Sequence, residues 1–139
     1  MKHRVIVDTG PLVALLNKRD AYHRWTKERM ATIRPPMLTC EAVISETCFV
    51  LGRNGGNRAT VLQLVDIGLV GMAFELSGET RSIRLLLERY ADIPMSFADA
   101  CLVRMTEVLD DSHVLTLDSD FNTYRRHRNR EVPTIMPAG

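Results

Sequence analysis

Two short apolar runs, Val5-Ile6-Val7-Asp8 and Val114-Leu115-Thr116-Leu117-Asp118, decide the interpretation of this chain of 139 residues. Both runs are rich in β-branched residues and end in an acid followed by turn-forming residues, which predicts two strands. In open α/β sheets, ligands bind outside the carboxyl ends of the strands. Asp8 and Asp118 would therefore meet if the two strands are neighbours. Because adjacent carboxylates repel, one of them must be protonated unless a cation lies between them.

Strand and helix signals alternate along the rest of the chain, which predicts a mostly parallel sheet with helices on both faces. The length fits a single domain over residues 1–139. Further strands are predicted at 37–39, 70–76 and 132–136. Helices are predicted after Gly10-Pro11, from the cap Asp20 to about Met30, at about 41–53, at about 58–67, from the cap Ser77 through Tyr90, at about 96–109, and at about 121–126.

The composition excludes few functions. The hydrophobic share of 45% and the charged share of 25% are ordinary for a globular protein, and the net charge of +1 indicates no partner. Only three apolar residues separate the basic residues 2–4 from Asp8, so we expect no signal peptide, and no apolar run is long enough to span a membrane.

The cysteines lack metal-ligand spacing, and buried free thiols in a reducing, cytoplasmic compartment are expected for Cys40, Cys48 and Cys101.

Two more acids lie on helix faces that the sequence predicts to be apolar. Glu46 falls between Val43 and Phe49 at helical spacing, and Asp99 shares a face with Leu102. For either acid alone, a buried salt bridge would explain the position, and so would a place at the solvent-exposed edge of the apolar face. No basic residue shares these stripes, so the acids together predict an all-oxygen site for Mg²⁺ or Mn²⁺, formed by Asp8, Glu46, Asp99 and Asp118. Such a site can polarise a phosphate and activate a water for in-line attack.

Other polar residues near these acids have two interpretations each. Asp120 either joins the site beside Asp118 or caps the helix that follows it. Thr9 and Thr116 either orient the strand-end acids or are ordinary polar residues at strand ends. The basic stretch 125–130 is either solvated surface or a patch that draws a polyanion towards the acids, in which case RNA would contact Arg125, Arg126, Arg128 and Arg130.

Four segments, taken in order along the chain, resemble the PIN-domain family and, within it, the VapC toxins of bacterial VapBC toxin–antitoxin pairs. They are residues 7–16, Ser45-Glu46, Ala98-Asp99-Ala100 and Thr116-Leu117-Asp118-Ser119-Asp120-Phe121. The resemblance implies an α/β fold of three layers, α/β/α, with a mostly parallel central sheet. It implies a Mg²⁺- or Mn²⁺-dependent ribonuclease in which a metal-activated water cuts RNA, with Asp8, Glu46, Asp99 and Asp118 as the catalytic cluster and Asp120 as a further metal ligand.

The resemblance also implies partners, namely a second copy of the chain and a VapB-type antitoxin whose C-terminal segment blocks the site. One departure is Ser96, which stands where many relatives carry another Asp. Because serine is a good helix cap, the fold is not in doubt, but the charge beside Asp99 is changed.

Two other classes of function remain open from the residues alone. The chain could be an RNA-binding or regulatory PIN-like module without catalysis, although keeping a complete set of costly acids argues against this. A phosphatase or a response-regulator-like domain also places Asp at strand ends. That class lacks support because no lysine stands at a late strand end and there is no glycine-rich phosphate loop.

Overall fold

The computed structural model describes residues 4–138, and its central feature is a five-stranded sheet. All four strand pairings in this sheet are parallel, and the strand order is β3-β2-β1-β4-β7. The strands are β1 (Val5–Val7), β2 (Met37–Thr39), β3 (Val70–Met72), β4 (His113–Leu115) and β7 (Thr134–Ile135). The mostly parallel sheet predicted from the sequence is confirmed. Lys2 and His3, which entered the signal-peptide argument, lie outside the described residues.

Strand β1 occupies the centre of the sheet because all its side chains are apolar and can be buried on both faces. Val5, Ile6 and Val7 are each 0% exposed. The register pairs Val7 with Leu115 of β4, so the next residue of each strand, Asp8 and Thr116, emerges side by side. The topology therefore brings two points more than a hundred residues apart to one edge of the sheet.

Helices cover this sheet and give the predicted three-layer arrangement. They are α1 (Thr9–Leu16), α2 (His23–Met30), α3 (Glu41–Arg53), α4 (Ala59–Asp66), α5 (Thr80–Arg89) and α6 (Phe97–Val108), with a 3₁₀ helix at Ser119–Asn122. Helix α1 packs against α2 and α3, and α5 packs against α6. Among residues 4–138, no helix combines the length and apolar character needed to cross a lipid bilayer.

Two of the predicted helix caps are wrong. Asp20 accepts a hydrogen bond from the backbone N–H of Tyr22 at 2.8 Å, so it closes a turn ahead of α2 and does not cap the helix. Ser77 lies in the turn before α5, which begins after Glu79, because the intervening Gly78 adopts a left-handed φ of 86°.

The C-terminal third also departs from the predictions. The short helix expected at 121–126 is instead the 3₁₀ helix followed by strand β5 (Arg125–Arg126), which pairs antiparallel with β6 (Arg130–Glu131). His127 and Arg128 turn this hairpin with positive φ angles of 46° and 71°. The strand expected at 70–76 ends at Met72.

The cysteines are all free thiols, as predicted, but their burial differs. Cys40 and Cys101 are buried, whereas Cys48 is only partly buried. Cys48 lies on the outer part of α3, and its Sγ approaches the backbone oxygen of Arg58 at 3.8 Å.

Candidate active site

Asp8 follows the central strand directly and is held by two hydrogen bonds. Its Oδ1 accepts from the backbone N–H of Thr9 at 2.7 Å, and its Oδ2 accepts from the Thr116 hydroxyl at 2.7 Å. The side chain is only 7% exposed. Asp8 therefore caps α1 and, at the same time, points a fixed carboxylate at the carboxyl edge of the sheet.

Thr116 links Asp8 to Asp118 because its hydroxyl both donates and accepts. The hydroxyl donates to Asp8 and accepts from the backbone N–H of Asp118 at 3.0 Å. Asp118 in turn accepts at Oδ1 from the backbone N–H of Asp120 at 2.9 Å and caps the 3₁₀ helix. Thr116 is thus an orienting residue between two strand-end acids, which is one of the two interpretations that the sequence left open.

Asp99 reaches the same region from the first turn of α6. It forms a capping box with Ser96: the Ser96 hydroxyl accepts from the Asp99 N–H at 3.0 Å, and Asp99 Oδ2 accepts from the Ser96 N–H at 3.1 Å. Ser96 thus supplies the cap that the sequence assigned to it. The predicted burial of Asp99 is also found, since its side chain is 8% exposed.

Tyr124 is a residue of this site that the sequence did not single out. Its hydroxyl donates to Asp99 Oδ2 at 3.1 Å, and its ring is fully buried against Tyr90 and Phe121. Burial raises the pKa of the phenol, and the negative charges of Asp99 and Asp120 raise it further, so Tyr124 stays a neutral donor. A lone tyrosine after a 3₁₀ turn carries no sequence signal of such a role.

Glu46 lies on α3, but the apolar stripe predicted around it is wrong. The buried face of α3 consists of Val43, Thr47 and Leu51, whereas Glu46 is exposed and Phe49 is 64% exposed. This stripe is hard to recognise in the sequence because its middle residue, Thr47, is polar. The Thr47 hydroxyl can be buried because it donates a hydrogen bond to the Val43 carbonyl at 2.7 Å.

Glu46 nevertheless belongs to the electrostatic neighbourhood of the other acids. Partial burial raises the pKa of Glu46, the charges of Asp99 and Asp118 raise it further, and a close approach of the Thr9 hydroxyl lowers it. Thr9 Oγ1 is itself buried and has no well-formed hydrogen bond among the described residues. The Thr9 hydroxyl oxygen, which follows Asp8 in the chain and lies near Glu46, is therefore available as a metal ligand.

The acids raise one another's pKa values, as expected for neighbouring carboxylates. Burial raises the pKa of Asp8 to about 7, its hydrogen bonds oppose the rise, and the charges of Asp99 and Asp118 add to it. Burial likewise raises the pKa of Asp99, with a further contribution from Asp118 and opposing hydrogen bonds from Ser96 and Tyr124. These shifts mean that Asp8, Glu46, Asp99 and Asp118 share one region of low polarity and high negative charge.

The donor set fits a hard divalent cation. The four acids offer oxygen ligands, and a cation would favour their charged forms against the burial, and the smaller mutual repulsion, that raise the pKa values of Asp8, Glu46 and Asp99. The buried Thr9 hydroxyl, which makes no well-formed hydrogen bond to any of residues 4–138, adds a further oxygen near Glu46. Within residues 4–138, however, no group of three or more His, Cys, Asp or Glu side chains already converges as a finished metal site. The carboxylates are instead fixed individually by protein donors, as described for Asp8, Asp99 and Asp118.

Asp120 and the basic stretch occupy separate positions. Asp120 does not cap the 3₁₀ helix, since Asp118 does, but its charge acts on Tyr124. The arginines of the stretch sit on the β5–β6 hairpin, and Arg126 donates to the backbone oxygen of Thr106, near the other end of α6 from Asp99. Seven helical residues correspond to about 10 Å, so the hairpin is set back from the acids.

Comparison with known proteins identifies the family. The model of the PIN domain matches residues 5–126, and the chain therefore belongs to the PIN-domain family. Its structure is similar to that of Mycobacterium tuberculosis VapC20, described as a sarcin-ricin loop cleaving toxin, with a TM-score of 0.71 and 26% identity. The match covers 86% of this chain and 93% of VapC20. A comparison with curated proteins gives no match. The predicted resemblance to a VapC-type PIN domain is confirmed.

Proposed function

We propose that this protein is a Mg²⁺- or Mn²⁺-dependent endoribonuclease that acts as the toxin of a toxin–antitoxin pair. The observation that carries the proposal is that the Thr116 hydroxyl links Asp8 to Asp118 at the carboxyl edge of a parallel sheet, where the charges of Asp99 and Asp118 act on Asp8 and Glu46. Membership of the PIN-domain family and likeness to a VapC toxin support the reaction class. The domain that carries this activity is proposed to be the whole of residues 1–139.

The acids have distinct parts in this proposal. Asp8, Asp99 and Asp118 would hold the ion, with Asp120 as an additional ligand, and Glu46 would face the substrate because it is the exposed member of the set. When bound, the ion supplies Lewis acidity that polarises a phosphate and activates water for in-line attack. Thr116 holds Asp8 and the Asp118 backbone in place, and Tyr124 holds Asp99. The catalytic set is thus Asp8, Glu46, Asp99 and Asp118, with Thr9 and Thr116 in support.

Partners follow from the same proposal. The substrate is RNA, and the arginines of the hairpin, Arg125, Arg126, Arg128 and Arg130, would attract its outer part through long-range charge. A VapB-type antitoxin would block the acidic site in the cytoplasm. A homodimer has support from exposed apolar side chains on and after α4 and on α5, namely Leu62, Ile67 and Leu85. Light scattering on the purified protein tests the dimer.

The decisive experiment is cleavage of total RNA and of intact ribosomes by the purified protein with Mg²⁺, with Mn²⁺ and with EDTA. Ribosomes are included because the similar VapC20 is described as acting on the sarcin-ricin loop. Asp8→Asn should abolish cutting, since it removes the charge without changing the volume, whereas the exposed Asp92→Asn should cut like the wild type.

Two outcomes would refute this proposal. Cleavage at the wild-type rate by Asp8→Asn would show that the acidic cluster is not the site. Tight RNA binding without metal-stimulated turnover on either substrate would instead favour a binding module. A thermal shift caused by Mn²⁺ in the wild type but not in Asp8→Asn tests metal binding independently of activity.

A further inference from the structure

A second feature lies one helical turn beyond Glu46, on the exposed face of α3. Phe49 is 64% exposed, and the guanidinium carbon of Arg53 stands 5.3 Å from the centre of its ring. Residues three apart on a helix are surface neighbours, so Phe49 lies on the same exposed side of α3 as Glu46, one turn further along. A large aromatic side chain left in water next to a proposed catalytic acid requires an explanation that the core does not provide.

The surroundings of Phe49 form an open groove of about 340 Å³. It is lined by Phe49, Gly52, Arg53, Gly56 and Arg58, that is, by one aromatic ring, two cations and no acid. This volume is at the lower end of the range for small-ligand sites, enough for a single planar group.

Two glycines lie in the groove where neighbouring side chains come close. A Cβ on Gly52 would lie 2.9 Å from the Arg58 Cδ, so the glycine lets the Arg58 side chain lie directly against α3. A Cβ on Gly56 would lie 2.7 Å from the Leu51 Cγ, in the buried face of the same helix. Arg53 therefore stands beside the ring, Arg58 lies over Gly52 of the same helix, and both arginines line the groove.

The charge of this groove indicates its ligand. Both arginines are exposed, and neither forms an ion pair with any residue of the described range 4–138. Two uncompensated guanidinium groups favour a polyanion over a neutral protein surface, and an exposed aromatic ring in the same groove is the element on which unpaired bases stack. Double-stranded RNA offers phosphates but keeps its bases inside the helix.

We propose that Phe49, Arg53 and Arg58 form a binding site for one unpaired nucleotide of RNA, with the base stacked on Phe49 and the flanking phosphates on the arginines. The inference rests on the proposed ribonuclease function, because the neighbouring Glu46 then fixes where the strand is cut. The site selects unpaired over paired RNA next to the scissile bond.

Binding can be measured without cleavage by following the fluorescence anisotropy of a short labelled single-stranded RNA in EDTA. Phe49→Ala should raise the dissociation constant by roughly 5- to 150-fold, since one base–aromatic stack is lost. Phe49→Trp should bind like the wild type and lose fluorescence on binding, whereas Phe49→Leu should remain weak. Val108→Ala, another exposed apolar residue at 54% exposure, is the matched control and should bind normally.

The arginines give a second, independent readout. For single strands the logarithm of affinity falls with the logarithm of salt by about 0.7 for each phosphate contact. Arg53→Gln and Arg58→Gln should each flatten this slope by about 0.7, and Phe49→Ala should leave it unchanged. A duplex RNA of the same sequence should bind the wild type and Phe49→Ala equally.

Several results would overturn the inference. Wild-type affinity in Phe49→Ala would show that no base stacks on Phe49. Full rescue by Phe49→Leu would show that the contact is apolar but does not depend on an aromatic ring. Loss of the dimer in Phe49→Ala, with unchanged RNA affinity per chain, would make the groove a surface between two copies. Phe49-dependent RNA binding by a protein that never cuts RNA would leave this inference standing while the proposed nuclease function failed.

Discussion

Replacing Asp8 by Asn should make the metal-free protein more stable at neutral pH, because the native fold buries a carboxylate that the unfolded chain exposes to water. Burial raises the pKa of Asp8 from 3.8 to about 7 in the folded protein. A raised pKa stabilises the fold only while the folded group holds its proton. This contribution is complete below about pH 4 and is lost as the pH rises through 7.

The size of the effect follows from the same shift. A difference of one pKa unit is worth 1.36 kcal/mol, so between about pH 4 and pH 8 the wild type should lose about 4 kcal/mol of stability relative to the variant. The amide of Asn keeps one acceptor for the Thr9 N–H but no longer accepts from Thr116, which costs about 1 kcal/mol. The net gain of Asp8→Asn at pH 8 is therefore about 3 kcal/mol.

Urea unfolding in EDTA at a series of pH values measures this difference, provided that the transition slope is the same for both proteins. Asp92→Asn, an exposed aspartate, corrects for the general change in net charge. Stability curves of wild type and Asp8→Asn that run parallel from pH 4 to pH 8 would refute the reasoning. Adding Mg²⁺ should then stabilise the wild type selectively, by about 2.7 kcal/mol at a hundred times its dissociation constant.

Substitutions at three further positions test the supporting residues. Tyr124→Phe removes the hydrogen bond that lowers the pKa of Asp99, so the acidic limb of the cleavage profile should move to higher pH, as read from rates over a pH series. Thr116→Val should destabilise the fold by about 1–3 kcal/mol in urea unfolding and reduce cleavage, because it leaves Asp8 and the Asp118 N–H without their shared partner. Ser96→Ala should cost about 1 kcal/mol through loss of the capping box, and Ser96→Asp should restore most of it; equal stability of both variants would show that the cap contributes nothing.

Much of the fold could be predicted because its central strand is a short, uninterrupted run of apolar residues. The run Val5–Val7 is apolar throughout, and an interior parallel strand needs only that, so its position and the acid after it are legible in the sequence. Asp99 was predictable for a similar reason, since most residues around it on α6 are apolar and buried.

The remaining parts depend on contacts that are not local in sequence. The face of α3 was predicted wrongly because Thr47, a polar residue, lies in the buried stripe while Phe49 is exposed, so of the two arguments for Glu46 only its place in the order of the motifs holds. The hairpin at 125–131 depends on left-handed backbone at His127 and Arg128, residues that give no turn signal. Tyr124 became part of the site only through its hydroxyl contact with Asp99.

The central position of β1 has a consequence for the synthesis of the protein. Strand β1 is translated long before its sheet neighbour β4, and the Thr116 hydroxyl bonds to Asp8, 108 residues earlier in the chain. At ordinary translation rates that separation takes roughly 5 to 20 s to bridge. During this interval the nascent chain carries Asp8 without Asp118, so the proposed acidic site cannot assemble until β4 and the residues that follow it have been translated.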